Sequence, residues 1–236
     1  MSSLGRVLEG ALGIFFPAWC PICAKPSDRL DTSPICGACW ANMSRLPANV
    51  CQICAKPLEV EGISKCGNCY AEKPFYSTIR AYTKFSDVMK EAIHLFKFSG
   101  VRRLARPIAE LFKEVEIPEA DLIVPVPLTK KRLTERGFNQ SLLIAKTLSD
   151  FTKIPLSYDT LLKVKETPHQ TTLKGTQRIN SLKNAFASTV SVKGKRIAVV
   201  DDVMTTGATL NECARALIKA GAHSVFGIVA ARTVLE

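Results

Sequence analysis

Apolar residues change their periodicity along the chain, and the change divides it into three parts. In residues 1–18 they repeat at i, i+3, i+4, i+7, i+8 and i+11 from Leu4 to Phe15, which predicts an amphipathic helix. Residues 19–74 carry few apolar anchors and many Cys, Gly and Pro. Residues 75–236 alternate short apolar runs with segments of helical periodicity. We therefore predict an N-terminal helix, a small cysteine-rich domain and an α/β domain.

The α/β part contains one unit that is clearer than the rest. It reads as a buried strand at 196–200, a loop at 201–207, a helix at 208–220 and a closing strand at 224–232. Further strands are predicted at 77–85, 122–126, 161–164 and 185–192, and helices at 87–98, 101–115 and 138–151. Such alternation implies a mostly parallel sheet flanked by helices, with ligands beyond the carboxyl ends of its strands.

The N-terminal helix is not predicted to be a signal peptide. Its only basic residue is Arg6, Glu9 interrupts the apolar run, and no small-residue cleavage site follows. We expect the helix to pack on the protein, because its polar face lacks the Lys and Arg of helices that lie on membranes. No stretch approaches the roughly 18 apolar residues of a membrane span. A cytoplasmic protein is predicted.

Eight of the nine cysteines form four C-x-x-C pairs, which indicates metal binding. Twelve residues separate the first two pairs, and eleven residues separate the last two pairs. Residues 19–74 therefore contain two copies of one sequence repeat. Two such turns can supply four thiolates to one Zn²⁺. Pairing in sequence order is simplest, and a cross-braced order stays open. The eight ligands of the two predicted Cys₄ zinc sites are Cys20, Cys23, Cys36, Cys39, Cys51, Cys54, Cys66 and Cys69.

Disulfides and redox-active thiols fit these cysteines less well than zinc. A disulfide framework needs an oxidising compartment, and a redox pair is not expected four times in one short segment. A segment of this size with few apolar residues would draw its folding energy from the metal. The ninth cysteine, Cys213, lies in a predicted helix and is expected to pack in the core.

The net charge of +11 belongs almost entirely to the α/β part. Residues 1–75 hold seven basic and six acidic residues, which leaves 25 basic and 15 acidic residues for 76–236. A basic surface attracts phosphates, whether on a small metabolite or on a nucleic acid. The alternative is a charge that serves solubility alone.

The strand–loop–helix unit carries the residues most suggestive of a binding site. Asp201 and Asp202 follow the strand, where they could meet ribose hydroxyls or a hydrated Mg²⁺. The small-residue turn that opens the next helix would expose N–H groups and hydroxyls to one phosphate. An ordinary turn with an acidic cap is less favoured, because adjacent carboxylates repel. The full run is Asp201, Asp202, Val203, Met204, Thr205, Thr206, Gly207, Ala208 and Thr209.

This run resembles the phosphoribosyl-pyrophosphate (PRPP) motif of type I phosphoribosyltransferases. The resemblance implies that fold, with Asp201 and Asp202 as catalytic residues on the ribose hydroxyls, residues 205–209 on the 5′-phosphate, and Mg²⁺ bound with PRPP. It also implies a pyrophosphate loop, although its cations alone could be a solvated face. The loop residues are Leu128, Thr129, Lys130, Lys131 and Arg132.

The segments 136–141, 167–173, 178–180 and 184–186 are similar to the ComF (competence protein F) family, and with that family's N-terminal zinc finger the resemblance spans nearly the whole chain. The resemblance implies a double zinc ribbon at 19–74, a phosphoribosyltransferase-like domain at 75–236, and a role in handling imported single-stranded DNA during natural transformation. A DNA-translocating helicase-type protein is a candidate partner. The motif residues are Arg136, Gly137, Asn139, Gln140, Gln170, Arg178 and Asn180.

Two functions follow, and the sequence leaves both open. The first is a PRPP-binding protein that handles single-stranded DNA; the second is an active transferase that moves phosphoribose to an unidentified acceptor and releases pyrophosphate. No segment after the last predicted strand would cover an acceptor base. A DNA groove would use basic and aromatic residues, although such aromatics are more often core. The candidates are Phe96, Lys97, Phe98, Arg102, Arg103, Arg106, Lys130, Lys131, Arg132, Arg136 and Phe138.

Overall fold

Parallel strands form the central sheet, as the sequence pattern predicts. The computed structural model describes residues 18–165 and 182–234. In that part, four strands lie in the order β1-β6-β5-β2, and every neighbouring pair is parallel. Two short strands, β3 and β4, pair antiparallel beside it. The strands are β1 (Ile79–Lys84), β2 (Leu122–Pro125), β3 (Leu161–Lys163), β4 (Phe186–Ser188), β5 (Arg196–Met204) and β6 (Ser224–Arg232).

Seven α-helices are described, two of them short turns of helix in the cysteine-rich segment. None of the helices in the described ranges is both long and apolar enough to cross a bilayer. The predicted helix at 1–18 falls almost entirely outside the described residues. The helices are α1 (Gly37–Ala41), α2 (Gly67–Ala71), α3 (Asp87–Phe98), α4 (Ala105–Glu110), α5 (Lys130–Arg136), α6 (Gln140–Thr152) and α7 (Ala208–Lys219).

The sheet buries both of its faces, because successive residues of a strand point to opposite sides. Along β5, Ala198 and Val200 join a core with α3, α4 and α6, whereas Ile197 and Val199 join a second core with α7. Cys213 of α7 is fully buried in this second core, as expected from the sequence. The continuous apolar run of β5 reflects this burial from both sides.

The helices after β2 and β5 leave the sheet on opposite faces. α6 follows β2 and packs in the first core, while α7 follows β5 and packs in the second. Because β2 and β5 are neighbours, a crevice opens between their carboxyl ends. This is the topological switch point at which open α/β sheets bind their ligands.

Several predicted elements differ from the structure, and the strand predicted at 185–192 is limited to Phe186–Ser188. β5 runs through Asp201 and Asp202 to Met204, so the loop is shorter than predicted. The helix predicted at 101–115 is divided into a 3₁₀ turn, α4 and a second 3₁₀ turn. Pro107, which cannot donate a backbone hydrogen bond to the preceding turn, accounts for the first division. The predicted pyrophosphate loop is largely helical, since α5 begins at Lys130 with Thr129 as its N-cap.

Asn139 fixes the start of α6 and ties it to the end of β2. Its side-chain oxygen accepts a hydrogen bond from the Leu142 N–H at 3.3 Å, and its Nδ2 donates to the Val126 carbonyl at 3.0 Å. The predicted helix start at residue 138 therefore moves to Gln140. The family-motif residue Asn139 thus has a structural role beside the crevice.

We expect Asn139→Ala to lower the free energy of unfolding by about 1–2 kcal/mol, because both the cap and the Val126 bond are lost. Asn139→Asp keeps the capping oxygen and should lie between the wild type and Asn139→Ala. Urea unfolding of the zinc-loaded chain measures the three values. Equal stability of Asn139→Ala and the wild type would contradict this role.

Candidate functional site

The cysteines form two separate clusters in sequence order. The four Sγ atoms of each cluster lie within 4.8 Å of one another, and the Cys23–Cys36 and Cys54–Cys66 Sγ pairs are 3.6 Å apart. Zinc–sulfur bonds of about 2.3 Å place tetrahedral sulfurs about 3.8 Å apart, so both clusters fit a zinc ion. The first site holds Cys20, Cys23, Cys36 and Cys39, the second Cys51, Cys54, Cys66 and Cys69. Pairing in sequence order is confirmed, and the cross-braced order is wrong.

Each site activates its first cysteine in the same way. Burial opposes ionisation of Cys20, but backbone N–H groups of Cys36, Cys23 and Ile22 outweigh it and lower the pKa of Cys20 to about 6. The corresponding N–H groups in the second site act against burial on Cys51 and lower its pKa to about 7. Thiolates are the form that binds zinc, so the repeated turns favour metal binding at the first cysteine of each site, whereas burial raises the pKa of Cys39, Cys54 and Cys69.

A cavity of about 750 Å³ occupies the crevice between β2 and β5. Its floor is the end of β5 and the turn into α7, and its walls come from α3, from the segment after β2 and from the first turn of α6. All nine sequence-predicted PRPP residues line it, together with two residues of the predicted pyrophosphate loop and two of the family motif. These are Leu128, Arg132, Arg136, Gln140, Asp201, Asp202, Val203, Met204, Thr205, Thr206, Gly207, Ala208 and Thr209.

The two carboxylates at the cavity floor have different partners. Both oxygens of Asp202 lie 2.8 Å from the Lys97 Nζ, in a pair whose side chains are 22% and 8% exposed for Lys97 and Asp202. Asp201 instead accepts hydrogen bonds from the Ser141 hydroxyl and from the Asp202 N–H, each at 2.9 Å. One carboxylate is therefore neutralised by a cation and the other is held by neutral donors.

This difference shows in the protonation of Asp201. Burial raises the pKa of Asp201 to about 6, and the neighbouring Asp202 carboxylate adds to the rise. The Lys97 ammonium and the Ser141 hydroxyl act in the opposite direction. Near neutral pH Asp201 is therefore a carboxylate that has only neutral hydrogen-bond donors, while its neighbour Asp202 is paired with Lys97.

The turn between β5 and α7 requires glycine at residue 207. Gly207 has a φ of +84°, in the left-handed region that favours glycine, and it is the N-cap of α7. A Cβ at Gly207 would meet the Met204 Cε at 2.5 Å and the Tyr76 hydroxyl at 3.1 Å. Residues 205–209 line the cavity at the positive end of a twelve-residue helix, as anion-binding turns do.

Positive charge reaches the cavity from α5 rather than from a loop. Arg132 and Arg136 line the cavity, and burial lowers the pKa of Arg136 while Asp202 opposes that shift. Lys130 and Lys131 are exposed and lie outside the cavity lining. The structure therefore brings only one of the three predicted pyrophosphate-loop cations to the cavity.

Gln140 carries an unused donor at the same place. It is 1% exposed, its Oε1 accepts from the Arg136 Nη1 at 2.8 Å, and its Nε2 has no partner within residues 18–165 and 182–234. A buried amide without a hydrogen bond costs free energy, so such groups are rare unless a ligand or water satisfies them. Gln140 therefore fits a ligand oxygen in this cavity.

Two family descriptions match the two parts of the chain. "Double zinc ribbon domain" matches residues 11–70, and "Phosphoribosyl transferase domain" matches residues 139–233. The chain is 32% identical over 224 residues to competence protein F of Haemophilus influenzae, covering 89% of this chain and 95% of that protein. The chain belongs to the ComF family. Its cysteine clusters and its α/β domain are therefore the family's zinc ribbons and phosphoribosyltransferase domain.

Other ComF relatives show the same full-length similarity. DNA utilization protein YhgH of Salmonella typhi is 30% identical over 217 residues, covering 89% of this chain and 94% of that protein. Competence protein ComFC of Bacillus subtilis is 28% identical over 207 residues, covering 84% and 81%. The similarity spans both the zinc ribbons and the α/β domain in each case.

Solved structures align less closely than these ComF relatives. The glutamine PRPP amidotransferase from B. subtilis, complexed with ADP and GMP, aligns at 23% identity with a TM-score of 0.39, covering 55% of this chain and 26% of that chain. The chain thus spans about a quarter of that protein. The fold assignment rests on the strand order and on the family description.

Two of the ComF motif residues that the structure describes stand apart from the cavity. Gly137 and Asn139 flank it without lining it, and Gln170, Arg178 and Asn180 lie outside the described residues.

Two aromatic DNA candidates, Phe96 and Phe138, are 0% and 8% exposed and belong to the core, whereas Phe98 is 70% exposed. Phe96 and Phe138 are therefore corrected to core residues.

Lys97 is the site residue whose role the sequence analysis missed. We predicted it as a DNA contact, and in the structure it pairs with Asp202. A signal existed, because Lys97 follows Met89 and Ile93 at intervals of four, on the buried stripe of α3. A lysine within an apolar stripe indicates a buried partner.

The raised pKa of Asp201 predicts a pH dependence of stability. Between the unfolded value of about 3.9 and the folded value, the native state binds more protons than the unfolded state, so stability falls as pH rises. We expect the wild type to lose stability relative to Asp201→Asn between pH 5 and about pH 7, measured by urea unfolding with saturating zinc.

Asp121→Asn provides the matched control for this prediction. Hydrogen bonds from Arg196 lower the pKa of Asp121 to about 2, so its contribution is complete above pH 4 and is lost only in stronger acid. The stability difference between Asp121→Asn and the wild type should therefore stay constant from pH 5 to 7. A constant difference for Asp201→Asn as well would contradict the assignment.

Proposed function

We propose that this chain binds PRPP in the crevice between β2 and β5 and handles single-stranded DNA during natural transformation. The observation that carries the PRPP part is the pair Asp201 and Asp202 beside the Gly207 turn, at the topological switch point. We also propose the boundaries 19–74 for the zinc ribbons and 75–236 for the phosphoribosyltransferase domain. A cytoplasmic location agrees with eight zinc-binding thiolates.

Each part of PRPP has a complementary group among the cavity residues. The ribose hydroxyls would donate to Asp201 and Asp202, and the 5′-phosphate would accept from the turn at residues 205–209. Arg132, Arg136 and the unpaired Nε2 of Gln140 would face the pyrophosphate oxygens. Mg²⁺, when bound with PRPP, would neutralise pyrophosphate charge beside the two carboxylates.

The DNA part of the proposal rests on charge, on one exposed ring and on the relatives' names. Phe98 lines the cavity, its ring centroid lies 5.2 Å from that of His94, and the Arg136 guanidinium lies 5.9 Å above it. Exposed aromatic rings beside cations are the usual platform for unpaired bases. Three relatives carry competence or DNA utilization in their names. A helicase-type translocase is the partner we propose for this role.

A transferase reaction is the second candidate function. It would break the bond between the anomeric carbon and the pyrophosphate oxygen and form one from that carbon to an acceptor, releasing pyrophosphate. The cations and the paired carboxylates that bind PRPP would also stabilise the leaving group and the ribose. Acceptor-dependent release of pyrophosphate across a panel of bases would support this reaction, and its absence with intact PRPP binding would leave the binding function.

We expect Asp202→Asn to weaken PRPP binding about tenfold or more, because a neutral amide binds ribose hydroxyls less strongly than a carboxylate. Calorimetric titration with PRPP and Mg²⁺ measures the affinity. Asp150→Asn, an exposed position on α6, is the matched control and should bind like the wild type. Equal affinity of the two variants would reject the assigned site.

For single-stranded DNA, we expect Phe98→Ala to reduce affinity about 5- to 150-fold, which corresponds to the loss of one stacked base. Fluorescence anisotropy with a labelled oligonucleotide measures this at several salt concentrations, and affinity should fall steeply with salt. Tyr70→Ala is the control, since Tyr70 is 85% exposed on the zinc ribbon. Loss of affinity with Tyr70→Ala alone would place the contact on the ribbon instead.

A further inference from the structure

The second zinc site is built into the sheet, whereas the first is partly open to solvent. All four second-site cysteines are buried, but Cys23 of the first site is exposed. The Ile53 carbonyl accepts from the Ile79 N–H at 2.8 Å, and the Gln52 carbonyl accepts from the Thr78 hydroxyl at 2.6 Å. The turn between Cys51 and Cys54 is therefore hydrogen-bonded directly to the start of β1.

Arg232 connects this second site to the turn that would bind phosphate. It is the last residue of β6 and only 7% exposed. Its Nε donates to the Cys54 carbonyl at 3.0 Å, and its Nη1 donates to the Met204 carbonyl at 3.3 Å and to the Thr205 carbonyl. One buried side chain thus links a zinc-ligand residue to the end of β5.

The charge of Arg232 also points to the metal centre. No carboxylate in the described ranges forms an ion pair with this buried guanidinium. A buried cation is costly unless negative charge lies near it. Zinc bound by four thiolates carries a net charge of −2. Metal binding would therefore supply the counter-charge that Arg232 lacks.

Hydrogen bonding by Arg232 also determines which way the next peptide group points. In a trans peptide the C=O and the following N–H point in opposite directions. Because the Thr205 carbonyl faces Arg232, the Thr206 N–H faces away from it, and Thr206 lines the cavity. Tyr76 supports the same turn from the ribbon side, since its hydroxyl would lie 3.1 Å from a Cβ at Gly207.

We propose that the second zinc site positions the phosphate-binding turn through Arg232 and Tyr76, so that PRPP affinity depends on zinc at the second site and not at the first. Arg232 is a positioning residue in this arrangement, and the inference rests on the proposed binding of PRPP. It assigns the two ribbons different roles, although their cysteine spacing is nearly the same.

The test compares Arg232→Lys with Arg45→Lys, an exposed arginine of the linker between the two zinc sites that pairs with Glu114. Calorimetry measures the affinity for PRPP, for ribose 5-phosphate and for pyrophosphate, each with Mg²⁺, and metal analysis counts bound zinc. We expect Arg232→Lys to retain two zinc ions and to weaken ribose 5-phosphate and PRPP about tenfold or more, with pyrophosphate affinity unchanged. Arg45→Lys should match the wild type throughout.

A second arm removes zinc from each site separately. Cys23→Ser should lower bound zinc from two ions to one and leave PRPP affinity unchanged, whereas Cys51→Ser should lower both. If Cys51→Ser does not fold, stepwise chelation of the wild type gives the same comparison, since the exposed Cys23 makes the first site the more accessible.

The outcomes separate this inference from the proposed function. A wild type that binds none of the three ligands overturns the PRPP assignment itself. A wild type that binds PRPP, with Arg232→Lys binding ribose 5-phosphate equally well, overturns the positioning role. Equal losses for ribose 5-phosphate and pyrophosphate, or for Cys23→Ser and Cys51→Ser, would show a general structural effect and also overturn it.

Discussion

Parallel pairing of β5 between β2 and β6 is the constraint on which the site depends. It brings the carboxyl ends of three strands to one edge, and the helices after β2 and β5 diverge to opposite faces. Two acidic side chains at the end of β5 then lie at the floor of a crevice instead of on an exposed edge. Their burial raises the pKa of Asp201. Because burial also removes water, the carboxylates must be stabilised by hydrogen-bond donors and cations.

The zinc ribbons share the two apolar cores that flank this sheet. Buried side chains of the first ribbon share the core of α3 and α4, and the cysteines of the second share the core of α7. A cysteine-rich segment of this size cannot form its own apolar core, so the metal and the sheet together supply its stability. The repeat visible in the sequence therefore does not imply equivalence, because its two copies pack on opposite sides of one sheet.

Much of this arrangement could be predicted from residue types and their spacing in the sequence. The cysteine spacing predicted both zinc clusters, and the apolar run before Asp201 predicted a buried parallel strand. The sequence pattern does not show which residues lie close together in the folded chain. Nothing local to residues 130–132 showed that Thr129 would cap a helix and turn Lys130 and Lys131 outward. The Lys97–Asp202 pair joins residues 105 positions apart, so only the position of Lys97 on the buried stripe of α3 hinted at it.

The Lys97–Asp202 ion pair also affects which ligands can bind in the cavity. Asp202 already has a counter-charge, so hydroxyl groups that engage it must share or displace Lys97. If Lys97 is displaced, its ammonium group needs a new counter-charge, because it is only 22% exposed and an unpaired buried charge is costly. An anion in the same cavity would provide that counter-charge. A ligand that carries both hydroxyls and phosphate satisfies the two partners at once. Either group alone would leave one buried charge behind, so we expect the cavity to favour molecules that combine them.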